Sequence, residues 1–335
     1  MQRGERRIAV DGALDPALAA SLGTAAGYAA FWWGWKPPVV EARSWVATSG
    51  EGASASFFTG GVDSLFTLHR NLRAFPEGHP LRIRRALLAY GFDSALGADD
   101  YLSGEERRSF GRLTAVLSAY LGRYGVGLEV VDTNVRADID YGSFLSHLHG
   151  HFLAGMAHAS GPGAYFLPST LDVTELKPFG SHPDLDGNTY STVTRVIHDG
   201  HDAARLKKLV LMRDWRVDLS AIHVCWQTPR EGPLNCGTCQ KCRRTVFELL
   251  AVGADDLVAM AFPTSDPREV RETIVPVSET DVALLTAAAA LFREQGRPQT
   301  GVEEALRRRQ AMQRRVEERD WRGPPKRLLR RLGLR

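Results

Sequence analysis

Two groups of residues in this chain have the types and spacing to do chemistry. The first is Thr59-Gly60-Gly61-Val62-Asp63-Ser64, between a short apolar strand and a helix. Adjacent glycines let main-chain N–H groups approach an anion with no Cβ in the way. The helix that follows aims its first N–H groups, and the positive end of its dipole, at the same place. Thr59 and Ser64 add hydroxyl donors, whereas Asp63 repels phosphate and fits only as a partner for Mg²⁺ or as an orienting group. The second group is Cys225, Cys236, Cys239 and Cys242, spaced C-x10-C-x2-C-x2-C. Four thiolates suit tetrahedral Zn²⁺, and C-x2-C steps let one loop supply neighbouring ligands. An iron–sulfur cluster would use the same ligands. All the cysteines lie within this one segment, a clustering that buried free thiols do not require.

The elements that must position these groups follow from periodicity and punctuation. Residues 1–54 read as a small α+β module: a strand over Arg7 to Val10, a capped helix from about Asp15, and a strand over Val39 to Ala42. Ser49-Gly50-Glu51-Gly52 reads as a linker. From Ala55 to about residue 255 strands alternate with helices. Strands are expected at 55–59, 86–92, 128–132 and 164–168, and helices at 63–73, 105–124, 144–159, 203–213 and 243–251. That alternation predicts an α/β fold with a doubly wound parallel sheet, whose ligands gather at the carboxyl ends of the strands. Residues 169–192 form a long loop, of the kind that is usually functional in a compact domain. Residues 256–335 read as a helical region with a basic tail.

Composition sets outer limits. The chain has 335 residues, 44% hydrophobic and 24% charged, values of an ordinary globular protein. Its net charge of +3 hides a division: residues 307–335 carry twelve Lys/Arg against three Asp/Glu, leaving the rest mildly acidic. An acidic body argues against a nucleic-acid-binding core. No apolar run is long enough to span a bilayer, no signal-peptide pattern opens the chain, and the expected location is cytoplasmic.

The turn Thr59-Gly60-Gly61-Val62-Asp63-Ser64 resembles the PP-loop of the ATP pyrophosphatases, Ser-Gly-Gly-x-Asp-Ser, with Thr for the first Ser. The cysteine segment, Cys225-Trp226 and then Cys236-Gly237-Thr238-Cys239-Gln240-Lys241-Cys242-Arg243-Arg244, narrows the resemblance to 7-cyano-7-deazaguanine synthase-like proteins. Tyr90-Gly91 and Ser181-His182-Pro183-Asp184 are similar to two further patches of that group. Among synthase-like proteins, Gly91-Phe92-Asp93, Thr133-Asn134-Val135-Arg136, Gly180-Ser181-His182-Pro183 and His198-Asp199-Gly200 also recur. The resemblance covers roughly residues 54–255. The N-terminal module and the tail have no counterpart in the compact synthase, and His147-Leu148-His149-Gly150-His151 stands where that family has Arg-Asn.

The resemblance implies an adenine-nucleotide α-hydrolase-like, Rossmann-like fold with a zinc knuckle and small N- and C-terminal additions. It implies a C–N bond-forming ligase or synthase that uses ATP, Mg²⁺ and a structural Zn²⁺. A substrate carboxylate or amide oxygen would attack the α-phosphorus, pyrophosphate would leave into the Thr59–Ser64 cradle, and ammonia or an amine would displace AMP, giving an amide or nitrile. Asp63, Ser64, Ser181, His182 and Asp184 are then the catalytic candidates. Thr59, Gly60, Gly61, Val62 and Asp93 join Asp63 and Ser64 as nucleotide contacts, with Arg205 and Lys208, three apart on one helix, as cationic ones. Two alternatives stay open: a sulfur-inserting adenylating enzyme, for which no cysteine is spare, and a nucleotide-binding regulatory protein without turnover. The expected partner is a small-molecule substrate, with no nucleic acid and no membrane span, and a homodimer is compatible with the sequence. The outer pair of His147, His149 and His151 shares a helical face, but no nearby carboxylate completes a metal set.

Overall fold

The computed structural model describes residues 4–92, 104–135, 139–226 and 231–321. The chain divides into two compact units. One runs to His223 and includes a return segment ending at Leu234; the other takes Val224–Gln227 and the chain from Asn235 onward.

Five parallel strands flanked by helices form the centre of the first unit: β3 (Ala55–Phe57), β4 (Arg85–Tyr90), β5 (Gly127–Asp132), β6 (Gly163–Pro168) and β7 (Thr194–Asp199). Their spatial order is β5-β4-β3-β6-β7. The chain builds outward from β3 in one direction, then returns to build in the other, so a topological switch lies between β3 and β6. Alternate residues serve the two faces. Ala55, Phe57, Leu87, Tyr165, Leu167 and Val196 share a core with Phe144, Leu153 and Ala157. The last two lie on the helix α5 (His149–Ala159), which follows the short helix α4 (Tyr141–Ser143) through a π-helical turn at Phe144–Leu148. The opposite side of β4 meets α3 (Gly104–Gly122), where the Tyr90 and Phe110 ring centroids are 4.1 Å apart.

One strand was not expected. Residues 194–199, Thr-Arg-Val-Ile-His-Asp, form β7, the edge partner of β6 in register from Gly163 with Thr194 to Pro168 with Asp199. Thr194, Val196 and His198 are buried while Arg195 is exposed, which is the period-2 pattern of a strand. The loop after β6 is also interrupted by one short helix, α6 (Pro183–Asp186).

The N-terminal residues form a parallel pair, β1 (Arg7–Leu14) with β2 (Val39–Trp45), joined by the helix α1 (Pro16–Trp33). Asp15 caps α1 by accepting from Ala17 N at 2.8 Å and also holds Thr48 through its main chain and hydroxyl. Burial alone would raise the Asp15 carboxyl pKa; the hydrogen bonds from Thr48, Leu18 and Thr192 hold it well below the usual range.

The second unit is helical: α8 (Gln240–Ala251), α9 (Asp255–Ala261), α10 (Pro267–Thr273), α11 (Glu279–Glu294) and α12 (Thr300–Trp321). Ser278 and Asp281 form a reciprocal capping box at the start of α11. Phe247 of α8 packs on Phe292 of α11 with ring centroids 5.1 Å apart.

Candidate functional site

The Thr59–Ser64 turn leaves the carboxyl end of β3 at the switch point and enters α2 (Val62–Ala74). Gly60 sits at φ +76°, and a Cβ there would come within 2.9 Å of Ala221 O and of Leu117 Cδ2. Both the backbone conformation and the space therefore demand glycine. The Gly60 carbonyl accepts from His223 N at 2.9 Å, which fixes the turn from below. Thr59 is exposed, Gly61 half-buried, and Val62 and Ser64 are buried. Gly61 is the N-cap of α2 and brings no side chain to its first N–H groups. Ser64 Oγ donates to Gly61 O at 3.0 Å, so its hydroxyl proton is engaged within the turn.

Asp63 lies in the first turn of α2, where the helix dipole favours a carboxylate. Arg205 and Lys208 open α7 (Arg205–Asp214) and both turn toward it. Lys208 Nζ donates to Asp63 Oδ1 at 2.8 Å and also to the Ser169 carbonyl. Arg205 Nη1 lies 3.5 Å from Asp63 Oδ2. The Lys208 side chain is 1% exposed and that of Arg205 7%, so neither belongs to a solvated face. Both expected phosphate contacts thus converge on Asp63 and orient it.

The loop after β6 reaches the same end of the sheet. Ser181 Oγ donates to Asp186 Oδ2 at 2.7 Å. His182 is buried, caps α6 by accepting from Asp184 N at 3.1 Å, and meets Trp32 of α1 edge-on with centroids 4.8 Å apart. Burial lowers the His182 pKa, against the opposing pull of Asp184. Asp184 is half-exposed beside it, 3.5 Å from His182 Nδ1. Of the three neighbouring histidines, His147 packs against Trp33 and Trp35, His149 against Phe92 and Phe144, and the His151 pKa is lowered by burial, opposed by Asp186. They serve packing. Asp93 and Arg136 lie outside the described residues, as does the end of the basic tail from residue 322.

In the second unit the four cysteine sulfurs all lie within 4.8 Å of one another. Cys225–Cys239, Cys236–Cys242 and Cys239–Cys242 are separated by 3.9, 4.0 and 3.4 Å. A tetrahedron with metal–sulfur bonds of about 2.3 Å places its sulfurs about 3.8 Å apart, so the set fits a four-thiolate metal site. Cys236 Sγ accepts from Cys239 N at 3.3 Å. Burial pushes the Cys236 thiol up, but this N–H and the Thr238 donors outweigh it and the pKa is lowered. Gly237, at φ +75°, makes the sharp turn of the knuckle, with Thr264 Oγ1 only 2.4 Å from where a Cβ would stand.

No family model, curated protein or solved structure matches this chain. The candidate site therefore stands on its own geometry. Two open concavities lie elsewhere: about 460 Å³ beside Val275, Ala305 and Met312, and about 250 Å³ beside His69, Arg82 and Trp215.

Five residues at this sheet edge had not been assigned a role from the sequence. Ser169 follows β6, Asp186 ends α6, His198 and Asp199 end β7, and Thr67 of α2 donates to Asp199 Oδ2 at 2.7 Å. The signal for His198 was the β-branched alternation of residues 194–199; a strand there puts its terminal His-Asp at the carboxyl edge.

Proposed function

We propose that this chain is an ATP pyrophosphatase-type ligase of the PP-loop kind, adenylating a small-molecule carboxylate or amide and passing it to ammonia or an amine. The observation that carries this reading is the Gly60-Gly61 turn at the switch point, opening on a helix with no side-chain cap. Such a turn offers convergent N–H donors to a departing diphosphate. Asp63, held by Lys208 and Arg205, faces the same turn and is the residue fitted to a Mg²⁺ ion, whose charge would offset that of the phosphate oxygens. The expected adenine-nucleotide α-hydrolase-like fold class belongs to this reading.

In the proposed reaction a substrate oxygen attacks the α-phosphorus and the bond to the β-phosphate oxygen breaks, releasing pyrophosphate toward Thr59–Ser64. The nitrogen nucleophile then attacks the acyl carbon, and AMP leaves with the bonding pair. The protein's part is positioning and charge neutralisation. Ser181, His182 and Asp184, on the loop after β6, are proposed to face the acyl group. The four-cysteine set is assigned to zinc in a structural role, since four thiolates leave no open coordination position.

A pyrophosphate-release screen over carboxylic acids, with ATP, Mg²⁺ and ¹⁵N-ammonia, tests this. Acid-dependent pyrophosphate is expected, abolished in Asp63→Ala, with ¹⁵N in the product. Product without ¹⁵N but dependent on added sulfide would move the reading to sulfur insertion. Tight ATP binding with no pyrophosphate for any acid would leave a regulatory nucleotide-binding protein.

A further inference from the structure

An unbroken line of hydrogen bonds runs from the phosphate turn into the loop after β6. Lys208 Nζ, buried, bridges Asp63 Oδ1 and the carbonyl of Ser169. Ser169 Oγ and His198 Nε2 share a hydrogen bond of 2.8 Å, and His198 Nδ1 donates to Asp186 Oδ2 at 2.7 Å. Ser181 Oγ donates to the same oxygen. Ser169, His198 and Asp186 have the order of a hydrolase triad. Ser169, however, is enclosed, 3% exposed, and its one hydroxyl proton has Leu171 O at 2.7 Å as a competing acceptor, so it is not placed to attack a substrate.

Asp186 is the informative member. It is fully buried, and its Oδ1 has no hydrogen-bond partner among the described residues. A Cβ on Gly150 of α5 would lie 2.0 Å from that oxygen, so the helix is pressed against it. A buried carboxylate with one unpaired oxygen costs stability that an apolar side chain of similar size would not. Gly200, next after β7, sits at φ +85° with Lys208 Cε 3.5 Å from the Cβ it lacks. The end of the Lys208 side chain therefore lies against Gly200.

We propose that His198, oriented by Asp186, is a positioning residue that sets Ser169, and through its carbonyl Lys208, so that the loop after β6 and the Asp63 turn are held as one body. The consequence for nucleotide binding rests on the function proposed above; the mechanical linkage does not. Nδ1 is committed to the carboxylate, Nε2 lies 2.8 Å from the Ser169 oxygen and competes with Leu171 O for its one proton, and the peptide at residue 169 presents its carbonyl to Nζ.

The test uses the full chain with ¹⁵N-labelled lysine and compares wild type, His198→Gln and Ser169→Ala. Melting and near-ultraviolet circular dichroism verify the fold. Lys208 is assigned through Lys208→Met. Its ammonium resonance is expected to be sharp in wild type and to shift or broaden in both variants. Mg·ATP binding is expected to weaken about two- to tenfold in each variant, the range for losing one hydrogen bond, and the double variant is expected to be no weaker than the worse single. An unmoved Lys208 resonance in a folded variant overturns the linkage whatever ATP does. A resonance that moves while wild type binds no Mg·ATP upholds the linkage and refutes the phosphate reading instead. If His198→Gln does not fold, Ser169→Ala, which removes only a hydroxyl, decides.

Discussion

Replacing Lys208 by Met tests the ion cluster directly. The two side chains of the Lys208–Asp63 pair are 1% and 15% exposed and meet at 2.8 Å. At that distance an effective dielectric of about 20 gives a gross attraction of about 6 kcal/mol, much of it offset by the desolvation of both ions. Breaking a buried pair by removing one partner leaves an uncompensated charge and costs about 3–5 kcal/mol. Asp63 retains Arg205 at 3.5 Å and some solvent, so the lower end, about 3 kcal/mol, is expected for Lys208→Met. For a domain of this size that lowers Tm by about 6–12 °C. Asp63→Asn leaves two buried cations, Lys208 and Arg205, facing a neutral amide and is expected to cost at least as much, although Ser169 O still receives the ammonium. The double variant Asp63→Asn/Lys208→Met is expected to be more stable than the sum of the two single losses predicts. Urea denaturation of the four proteins gives the coupling. Strict additivity, or a loss below about 0.5 kcal/mol for Lys208→Met, would refute the buried pair as the element that fixes Asp63.

Two further outcomes are expected. Elemental analysis of the purified chain should find one zinc per molecule, lost in Cys239→Ser together with the melting transition of the second unit; visible absorption with bound iron would assign a cluster instead. His69, buried against Tyr120 OH at 2.6 Å, has its pKa lowered to about 4 from 6.5, by burial first, with Asp218 opposing. Below pH 6.5 the unfolded chain takes up a proton that the folded chain refuses until near pH 4. Stability should therefore fall as pH drops through that window, by about 3 kcal/mol from this group, and the difference should vanish in His69→Gln. Urea midpoints from pH 4 to 7 that fall equally in both proteins would sink that assignment.

The sequence by itself determined what short segments of chain can determine. Residues 59–64 read as a glycine turn between a strand and a helix, because adjacent glycines there break two periodic patterns and free the main chain. The cysteine spacing alone implied a thiolate knuckle, and the four sulfurs do converge. Alternating strand and helix patterns implied parallel pairing, which every ladder in the sheet obeys. Asp15 announced the start of α1 by its type. These are local facts, set by steric freedom, ligand geometry and periodicity over a few residues.

Only the tertiary structure decided which distant groups meet. Asp63 and Lys208 are 145 residues apart, and nothing near either names the other. Lys208 had the look of a phosphate ligand; packing α7 beside α2 at one sheet edge turned it onto a carboxylate. Asp186 ends the short helix α6 and His198 lies in an edge strand whose alternation was too short to stand out, and they became partners when β7 paired with β6. Strand order is settled by how whole faces bury against helices, a sum over many weak contacts that leaves little trace in any one segment.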